Sequence, residues 1–570
     1  MNRRTFLKST TSGLGIGLGS ALTLRPGILA ANDGVKPGLR FWLETSLRRV
    51  FPASPAGDAR ILRIVAARGE RLSFQACVRN GTTAGVSVRA SAEADGGLAV
   101  RVRRVGCVPV PHHTPGTEEA ELDGFGRIPG PVPDPLFPED TAWLPAFQST
   151  AFWVTVDVPP DAEPGARDVR VTFRTGDEVR EKLAATFDVR PLRVGPRKDF
   201  PVTHWWTVNS LWDRYGVEPW SDAFFAIAAK YLANLRAHGT DVCFVPLVHV
   251  RSHEVVKRPA QTLQAVRGAD GGWTFDFDRT RRWVRAGKAA GFDRFEWPHL
   301  ATPAPISARD AMRIYDATET PARLLWPAET PATSDLYRDY LAAFLPAFRS
   351  FLESEGILDR SIYHLADEAD GADALGRYRE LKKIAQGLAP WMKFHDALSD
   401  VNAAREKVVD MPIPNIMTAP DYQAAGYDCW VYFCGGPTGA YLNRFLDTPL
   451  AKLRAAGWLF RRHRARGFLH WAYLYWYHVI DWERPIDPFQ VTDGGVGWPC
   501  GDTTIVYPGP DGPLDSQRWE VFAESLQDYA LLEAAGVEPD DPRLAELKSY
   551  YEFPKTPEWV EGVRRKILGV

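Results

Sequence analysis

Ser361-Ile362-Tyr363-His364-Leu365-Ala366-Asp367-Glu368 is an apolar run that ends in two adjacent carboxylates. Ala369-Asp370-Gly371 breaks it, and Ala372–Leu388 then carries apolar residues at helical spacing. The segment therefore reads as a strand, a turn and a helix. The same unit recurs on both sides of it. Short apolar strands are expected at Val202–Asn209, Val242–Val250, Phe292–Leu300, Lys393–Leu398, Asn415–Ala419, Trp430–Cys434 and Phe468–Trp476. Amphipathic helices are expected at Trp220–His238, Thr280–Ala290, Asp335–Glu355 and Leu450–Arg466. Gly239, Gly291, Gly356 and Gly467 follow the ends of helices, where chain-terminating glycines belong. Strands alternating with helices in this way across residues 200–510 predict a (β/α)₈ TIM barrel.

Upstream, the period changes. Leu72–Val78, Ser87–Ala92, Phe152–Val158 and Val169–Arg174 alternate apolar and polar residues. Turn clusters such as Asn80-Gly81 and Pro159–Gly165 separate them. Residues 38–192 are therefore expected to form an all-β sandwich. Pro191–Pro201 reads as a hinge. Ser516–Gly536 and Pro542–Leu568 read as helical, so residues 511–570 are expected to be a C-terminal helical segment packed on the barrel.

The first residues have another character. Arg3-Arg4-Thr5-Phe6-Leu7-Lys8 precedes a weakly apolar Gly/Ser/Leu run and then Leu29-Ala30-Ala31. That order describes an export signal over residues 1–31, and the paired arginines fit the twin-arginine type. A periplasmic or extracellular location is the expectation. No later apolar run reaches spanning length, so no membrane span is expected.

Composition narrows the function. The 570 residues carry a net charge of -3, which leaves no electrostatic footprint for nucleic acid. Six scattered cysteines have no CxxC spacing, so zinc-ribbon and thioredoxin chemistry are not indicated. They read mostly as buried small apolar residues. There is no GxSxG, no P-loop and no GxGxxG after a strand, and no HExxH spacing supports a metal. No cofactor and no metal are expected. Twenty tryptophans are the unusual feature. They fit large cores, and they also fit sugar binding, because the C–H face of a pyranose stacks on a flat ring.

Barrel catalysis sits at the C-terminal ends of the strands. The expected strands deliver Trp205, Trp206 and Asn209 there, then His249, then Glu296 and His299. Asp367 and Glu368 follow, then His395 and Asp396, then Tyr432, and finally Trp471, Tyr473 and Trp476. Asp367 and Glu368 are the candidate catalytic pair, since two carboxylates this close repel and leave a proton on one for a leaving group. The others are candidate substrate-binding residues. Ordinary glycosidases flank the scissile bond with two separate carboxylates. The seventh strand, Asp428-Cys429-Trp430-Val431-Tyr432-Phe433-Cys434, carries no Glu to be the nucleophile. That absence points to substrate-assisted hydrolysis, in which the sugar's own 2-acetamido group attacks the anomeric carbon.

The chain resembles glycoside hydrolase family 123 and the related bacterial domain of unknown function 4091. The resemblance rests on Pro133-Asp134-Pro135-Leu136, Gln148 and Phe152–Pro159 in the β-domain. It continues through Trp273–Arg279, Trp283, Asp367-Glu368, Gly467–Ala472, Trp476 and Tyr507-Pro508-Gly509. It ends on Ser516-Gln517-Arg518-Trp519-Glu520 and Asp528-Tyr529. Family members usually follow the acidic pair with Pro, where this chain has Ala369. The resemblance implies a β-sandwich followed by a (β/α)₈ barrel. It implies retaining, substrate-assisted removal of β-linked N-acetylgalactosamine from an oligosaccharide or polysaccharide. Glu368 is then the general acid/base, and Asp367 steadies the acetamido group. The competing readings are a non-catalytic glycan-binding envelope protein and a glycosidase that uses a conventional carboxylate pair.

Overall fold

The computed structural model describes residues 38–248, 259–302, 308–316, 318–319, 321–481 and 484–570. The N-terminal part is rich in sheet. Its strands are β1 (Leu39–Thr45), β2 (Ile61–Arg68), β3 (Arg71–Asn80), β4 (Val86–Ala94) and β5 (Ala99–Val110). They are followed by β6 (Gly130–Phe137), β7 (Thr141–Leu144), β8 (Ser149–Asp157), β9 (Gly165–Thr175) and β10 (Glu178–Arg193). They form two five-stranded sheets, ordered β1-β3-β8-β5-β6 and β2-β10-β9-β4-β7. All pairs are antiparallel except β2 with β10. Alternation along each strand turns one row of side chains inward. Phe74, Phe152, Val154, Phe173 and Phe187 are fully buried where the two inner faces meet.

The next part alternates strand and helix. Its elements include β11 (Val202–Trp205), β12 (Val242–Phe244), an antiparallel hairpin of β13 (Gln264–Arg267) and β14 (Trp273–Asp276), and β15 (Arg294–His299). Then come β16 (Ser361–His364), β17 (His395–Asp396), β18 (Met411–Pro412), β19 (Val431–Tyr432) and β20 (Phe468–Trp471). Six of them make one parallel sheet in the order β16-β15-β12-β11-β20-β19. β17 and β18 pair separately. Toward the two edges of that sheet they make single bridges, Tyr363 to Phe394 and Asn415 to Tyr432, with a few further backbone hydrogen bonds such as Trp430 N–H to the Pro412 carbonyl at 3.0 Å. A continuous eight-stranded ladder is thus not what is seen; the hydrogen-bonded sheet covers six strands.

Several expected boundaries move. The sixth strand lies at Met411–Pro412 instead of Asn415–Ala419, and Ala419–Ala424 is helical. Pro412 and Pro414 lack N–H groups, which keeps this pairing short. The Asn415 side chain then accepts the Met417 N–H at 3.0 Å and turns the chain. The Leu450–Arg466 helix divides into Leu450–Arg454 and Ala456–Arg462. In the tail, Pro542–Leu544 is a short 3₁₀ turn, and the final helix starts only at Pro557 under a Thr556 cap. Among the described residues no helix is long and apolar enough to cross a membrane. All six cysteines are free thiols, and Cys77, Cys243, Cys429 and Cys500 are buried.

The helix Gln517–Ala534 runs between the two parts. Ser516 caps it by accepting the Trp519 N–H at 3.0 Å. Arg518, Glu520, Glu524 and Asp528 on it are buried, and each has partners. Arg518 binds Asp134 of β6 at 2.9 Å and donates to the carbonyls of Arg444, Gly501 and Thr504. Glu520 meets Arg71 and Arg103, both at 2.7 Å. Burial opposes its charge, but Arg103, Arg71 and His238 hold its carboxyl well below the usual range. Asp528 pairs with Arg454 and with Arg564.

Candidate active site

Inward alternation on the parallel strands brings Thr203, Trp205, Glu296 and His364 together. Glu296 is completely buried and accepts three hydrogen bonds. They come from the Thr203 hydroxyl, from Trp205 Nε1 at 2.9 Å, and from His364 Nε2 at 2.7 Å. On its other side His364 Nδ1 lies 3.3 Å from Asp396 Oδ1. Asp396 is also completely buried. It accepts the Leu365 N–H on both oxygens at 3.1 Å and the Tyr378 hydroxyl at 2.5 Å. Burial alone would discharge His364. The carboxylates of Asp396 and Glu296 outweigh it and push the imidazole up to about 10. The ring is therefore an imidazolium between two carboxylates, which meets the pairing requirement of buried charge. His299 stands beside it, with ring centres 4.9 Å apart. His299, His364 and Asp396 lie close enough together to hold a cation.

Above this floor β16 leaves the sheet and presents the carboxylates. Asp367 is half-buried and Glu368 is exposed. Glu368 has φ 47°, in the left-handed region that side chains with a Cβ avoid. Its N–H is nonetheless fixed to the Ala397 carbonyl at 2.9 Å. Across the mouth, the Tyr432 hydroxyl donates to Glu368 Oε1 at 3.1 Å. Burial, followed by the charges of Glu368 and Asp367, raises the Tyr432 hydroxyl well above its usual range, so it remains a donor. Asp370 ties the turn down by accepting the N–H groups of Ser399 and Asp400 at 2.8 and 3.0 Å. Its carboxyl is raised by burial and, with the two N–H groups opposing, by the charges of Glu368 and Asp400. Gly371, with φ 88°, then turns the chain into helix Ala372–Leu388.

A backbone strained at a reactive side chain makes a measurable prediction. Neither Glu368→Gly nor Glu368→Ala has the carboxylate, so their difference sets tolerance of φ 47° against the greater chain entropy that glycine loses on folding. The Gly variant is expected to be more stable than the Ala variant by about 1 kcal/mol. Urea unfolding of both checks this. The reverse order, normal for an unstrained site, would count against strain.

Other expected residues fall elsewhere. Trp206, Asn209, Tyr473 and Trp476 are not in the site. Trp206 follows the inward Trp205 and so points outward, against Tyr231, Trp283 and Tyr473. Tyr473 donates to Asn234 of helix Asp222–Ala237 at 2.8 Å, and Trp476 packs on Tyr231. Asn209 is completely buried at the start of helix Asn209–Tyr215. Glu296 and Asp396 lie beneath the site with their oxygens held by protein donors, so they support it without facing a sugar. Trp205 and Trp471 are register partners on neighbouring strands, and Trp471 packs against Tyr475. His395 is half-buried beside Trp430, and burial with the His364 charge pushes it down to about 4. His249 lies outside the described residues. Sequence reasoning missed His364, Tyr378, Asp370 and Ser399 as contributors. For His364 a signal existed: it is a polar residue at inward parity in an apolar strand.

The model of the family described as "Glycoside hydrolase 123, catalytic domain" matches residues 205–535. Among solved structures, a family 123 glycoside hydrolase from Clostridium perfringens superposes with a TM-score of 0.72 at 15% identity. The match covers 93% of this chain and 97% of that one, and it shows a shared fold. A family 39 glycoside hydrolase from Bacteroides cellulosilyticus WH2 gives 0.32 at 9% identity, over 81% of each chain. A GH5 xyloglucanase from Bacteroides ovatus gives 0.29 at 9%, over 83% of this chain and 98% of that one. Scores this low add nothing to the fold. No curated protein matches.

Proposed function

The chain belongs to glycoside hydrolase family 123 and is a glycoside hydrolase, and from that premise we propose that it releases β-linked 2-acetamido sugars, N-acetylgalactosamine foremost, by a retaining, substrate-assisted mechanism. The observation that carries the proposal is the distribution of carboxylates. Asp367 and Glu368 stand together at the end of β16, and position 432 of β19, across the mouth, is a tyrosine bonded to Glu368. The remaining candidate nucleophiles, Glu296 and Asp396, are completely buried and engaged. A nucleophile supplied by the substrate fits this arrangement. In the proposed first step the Glu368 carboxylic acid gives its proton to the glycosidic oxygen. The acetamido carbonyl oxygen bonds to the anomeric carbon as the leaving group departs with that proton. Asp367 accepts the acetamido N–H and balances the positive charge of the cyclised sugar. Water then opens the ring, with Glu368 taking its proton, so two inversions give net retention.

The same proposal reads β11, β12 and β15–β20 as a closed (β/α)₈ barrel. What supports closure is the pair of bridges from β17 and β18 to the edge strands of the parallel sheet. As substrate class we propose an oligosaccharide; the Clostridium perfringens relative is described in terms of glycolipid glycan hydrolysis.

The test is a panel of aryl β-glycosides with and without a 2-acetamido group, together with a thiazoline mimic of the cyclised sugar. Hydrolysis is expected for the acetamido sugars alone, with the β-anomer appearing first by NMR and with inhibition by the thiazoline. Equal turnover of sugars lacking the acetamido group would defeat the substrate-assisted reading.

A further inference from the structure

The tryptophans that suggested sugar binding are mostly core. Trp153, Trp206, Trp212, Trp283, Trp297, Trp458 and Trp519 are almost wholly buried. Several others are half-buried, and among the described residues Trp143 alone is mainly exposed, with 69% of its surface in solvent. It lies on β7, the edge strand of the second N-terminal sheet, whereas the carboxylates follow a strand of the parallel sheet.

Its ring is held. A Cβ built on Gly85 would come within 2.4 Å of Trp143 Cζ2, 2.9 Å of Cε2 and 3.1 Å of Cη2. The benzo half of the indole therefore rests on the bare backbone of Gly85, and its other side is left to solvent. Around it the outward face of the sheet is polar. Trp143 is the register partner of Ser87 and Thr141 of Arg89. Arg89 in turn pairs with Arg174, and Ser91 with Thr172, on β9. Arg89 Nε donates to Thr141 Oγ1 at 3.3 Å. Alternation places these hydroxyls and guanidinium groups on the same side as the indole. The face thus offers one flat aromatic plate and, about 7 Å along the strand, hydrogen-bonding groups.

We propose that Trp143, seated on Gly85 and flanked by Ser87, Thr141 and Arg89, is a glycan-binding platform that stacks one pyranose of a carbohydrate chain, separate from the hydrolytic site. A sugar is the occupant this surface fits. A pyranose has an apolar C–H face for the ring and hydroxyls at its rim for Ser, Thr and Arg. The chain is a glycoside hydrolase, so carbohydrate is what it meets. A protein partner would want a broader apolar patch than one indole within a polar sheet.

Affinity electrophoresis of the full chain tests this. The gels carry gastric mucin, which displays galactose and N-acetylgalactosamine, or dextran, or no glycan. Wild type is expected to be retarded by mucin. Trp143→Ala should lose retardation by about 2- to 10-fold, the scale of one aromatic stacking contact. Trp143→Phe should keep part of it. Gly85→Ala, which lifts the ring from its seat, should weaken it with Trp143 still present. Both Trp143 variants should hydrolyse a small aryl glycoside at the wild-type kcat/KM. Thermal melting verifies that the edge strand is intact. Equal retardation of wild type and Trp143→Ala would overturn the platform, as would no retardation of wild type in either glycan gel. Loss of aryl-glycoside turnover in every protein would instead count against the proposed hydrolytic specificity and leave the binding result standing.

Discussion

Glu368→Gln is expected to lose about 10²–10⁴-fold in kcat/KM on natural-type glycosides, whose poor leaving groups need a proton. The loss should shrink on an aryl glycoside with an activated phenol, which departs without protonation. Asp367→Asn is expected to behave differently. The acetamido group must attack whichever leaving group is present, so both substrates should suffer alike. The contrast is one of kind as well as size. Tyr432 donates to Glu368 at 3.1 Å and can donate equally to the Gln amide oxygen, so the variant side chain keeps its place. A difference from wild type then reports the missing proton. Identical substrate profiles for the two variants would show that the roles are not divided between them. An unchanged Glu368→Gln enzyme would remove this residue from the chemistry.

The second large effect is expected on stability. His364→Gln takes away the cation between two completely buried carboxylates, Glu296 and Asp396. Breaking a buried ion pair from one side costs about 3–5 kcal/mol, because the abandoned charge stays desolvated. The urea midpoint should fall accordingly. The pH dependence gives a sharper signature. The folded protein raises His364 from its ordinary value near 6.5 to about 10. Its folded form thus binds the proton more tightly than its unfolded form. That stability is fully present below pH of about 6.5 and drains away as pH climbs through about 10. Wild type should therefore weaken over this alkaline window. His364→Gln should start lower and show a flatter profile there. The groups packed round the ring are Glu296, Asp396, His299, Trp205 and, more distantly, His395. His395, held down to about 4, is neutral throughout that window. Parallel pH profiles for the two proteins would show that the imidazolium is not what holds the carboxylates.

The resemblance in the tail takes on a physical meaning beside these effects. Asp134 in Pro133-Asp134-Pro135 and Arg518 in Ser516–Glu520 are far apart in the chain and form one buried pair. Glu520 and Asp528 likewise close onto arginines of the sandwich, the parallel-strand region and the last helix. These residues join the N-terminal sheets to the rest of the molecule, and none of them touches the candidate site. A motif shared with a family of enzymes can therefore mark architecture as readily as chemistry.

What the sequence determined by itself is local and periodic. Alternation identified the sandwich strands, because a strand buried on one face must repeat every second residue. Helix Ala372–Leu388 was legible to the residue, because Gly371 and the apolar spacing are both local signals. The carboxylate pair was legible because it interrupts an apolar strand. What only the tertiary structure decided is which side of a strand each side chain takes and what it meets there. Trp205 and Trp206 are neighbours in sequence, yet one bonds Glu296 and the other packs outside against a helix. Glu296 and Asp396 read in the sequence as candidate substrate-binding residues at strand ends. Only the folded chain shows their oxygens already taken by His364, Trp205, Tyr378 and a backbone N–H. The strand at Met411–Pro412 was expected at Asn415–Ala419, and His395–Asp396 is shorter than the expected Lys393–Leu398, because so few residues carry no period. A period reports burial of a face, whereas burial of a particular charge depends on partners that the chain brings from dozens of residues away.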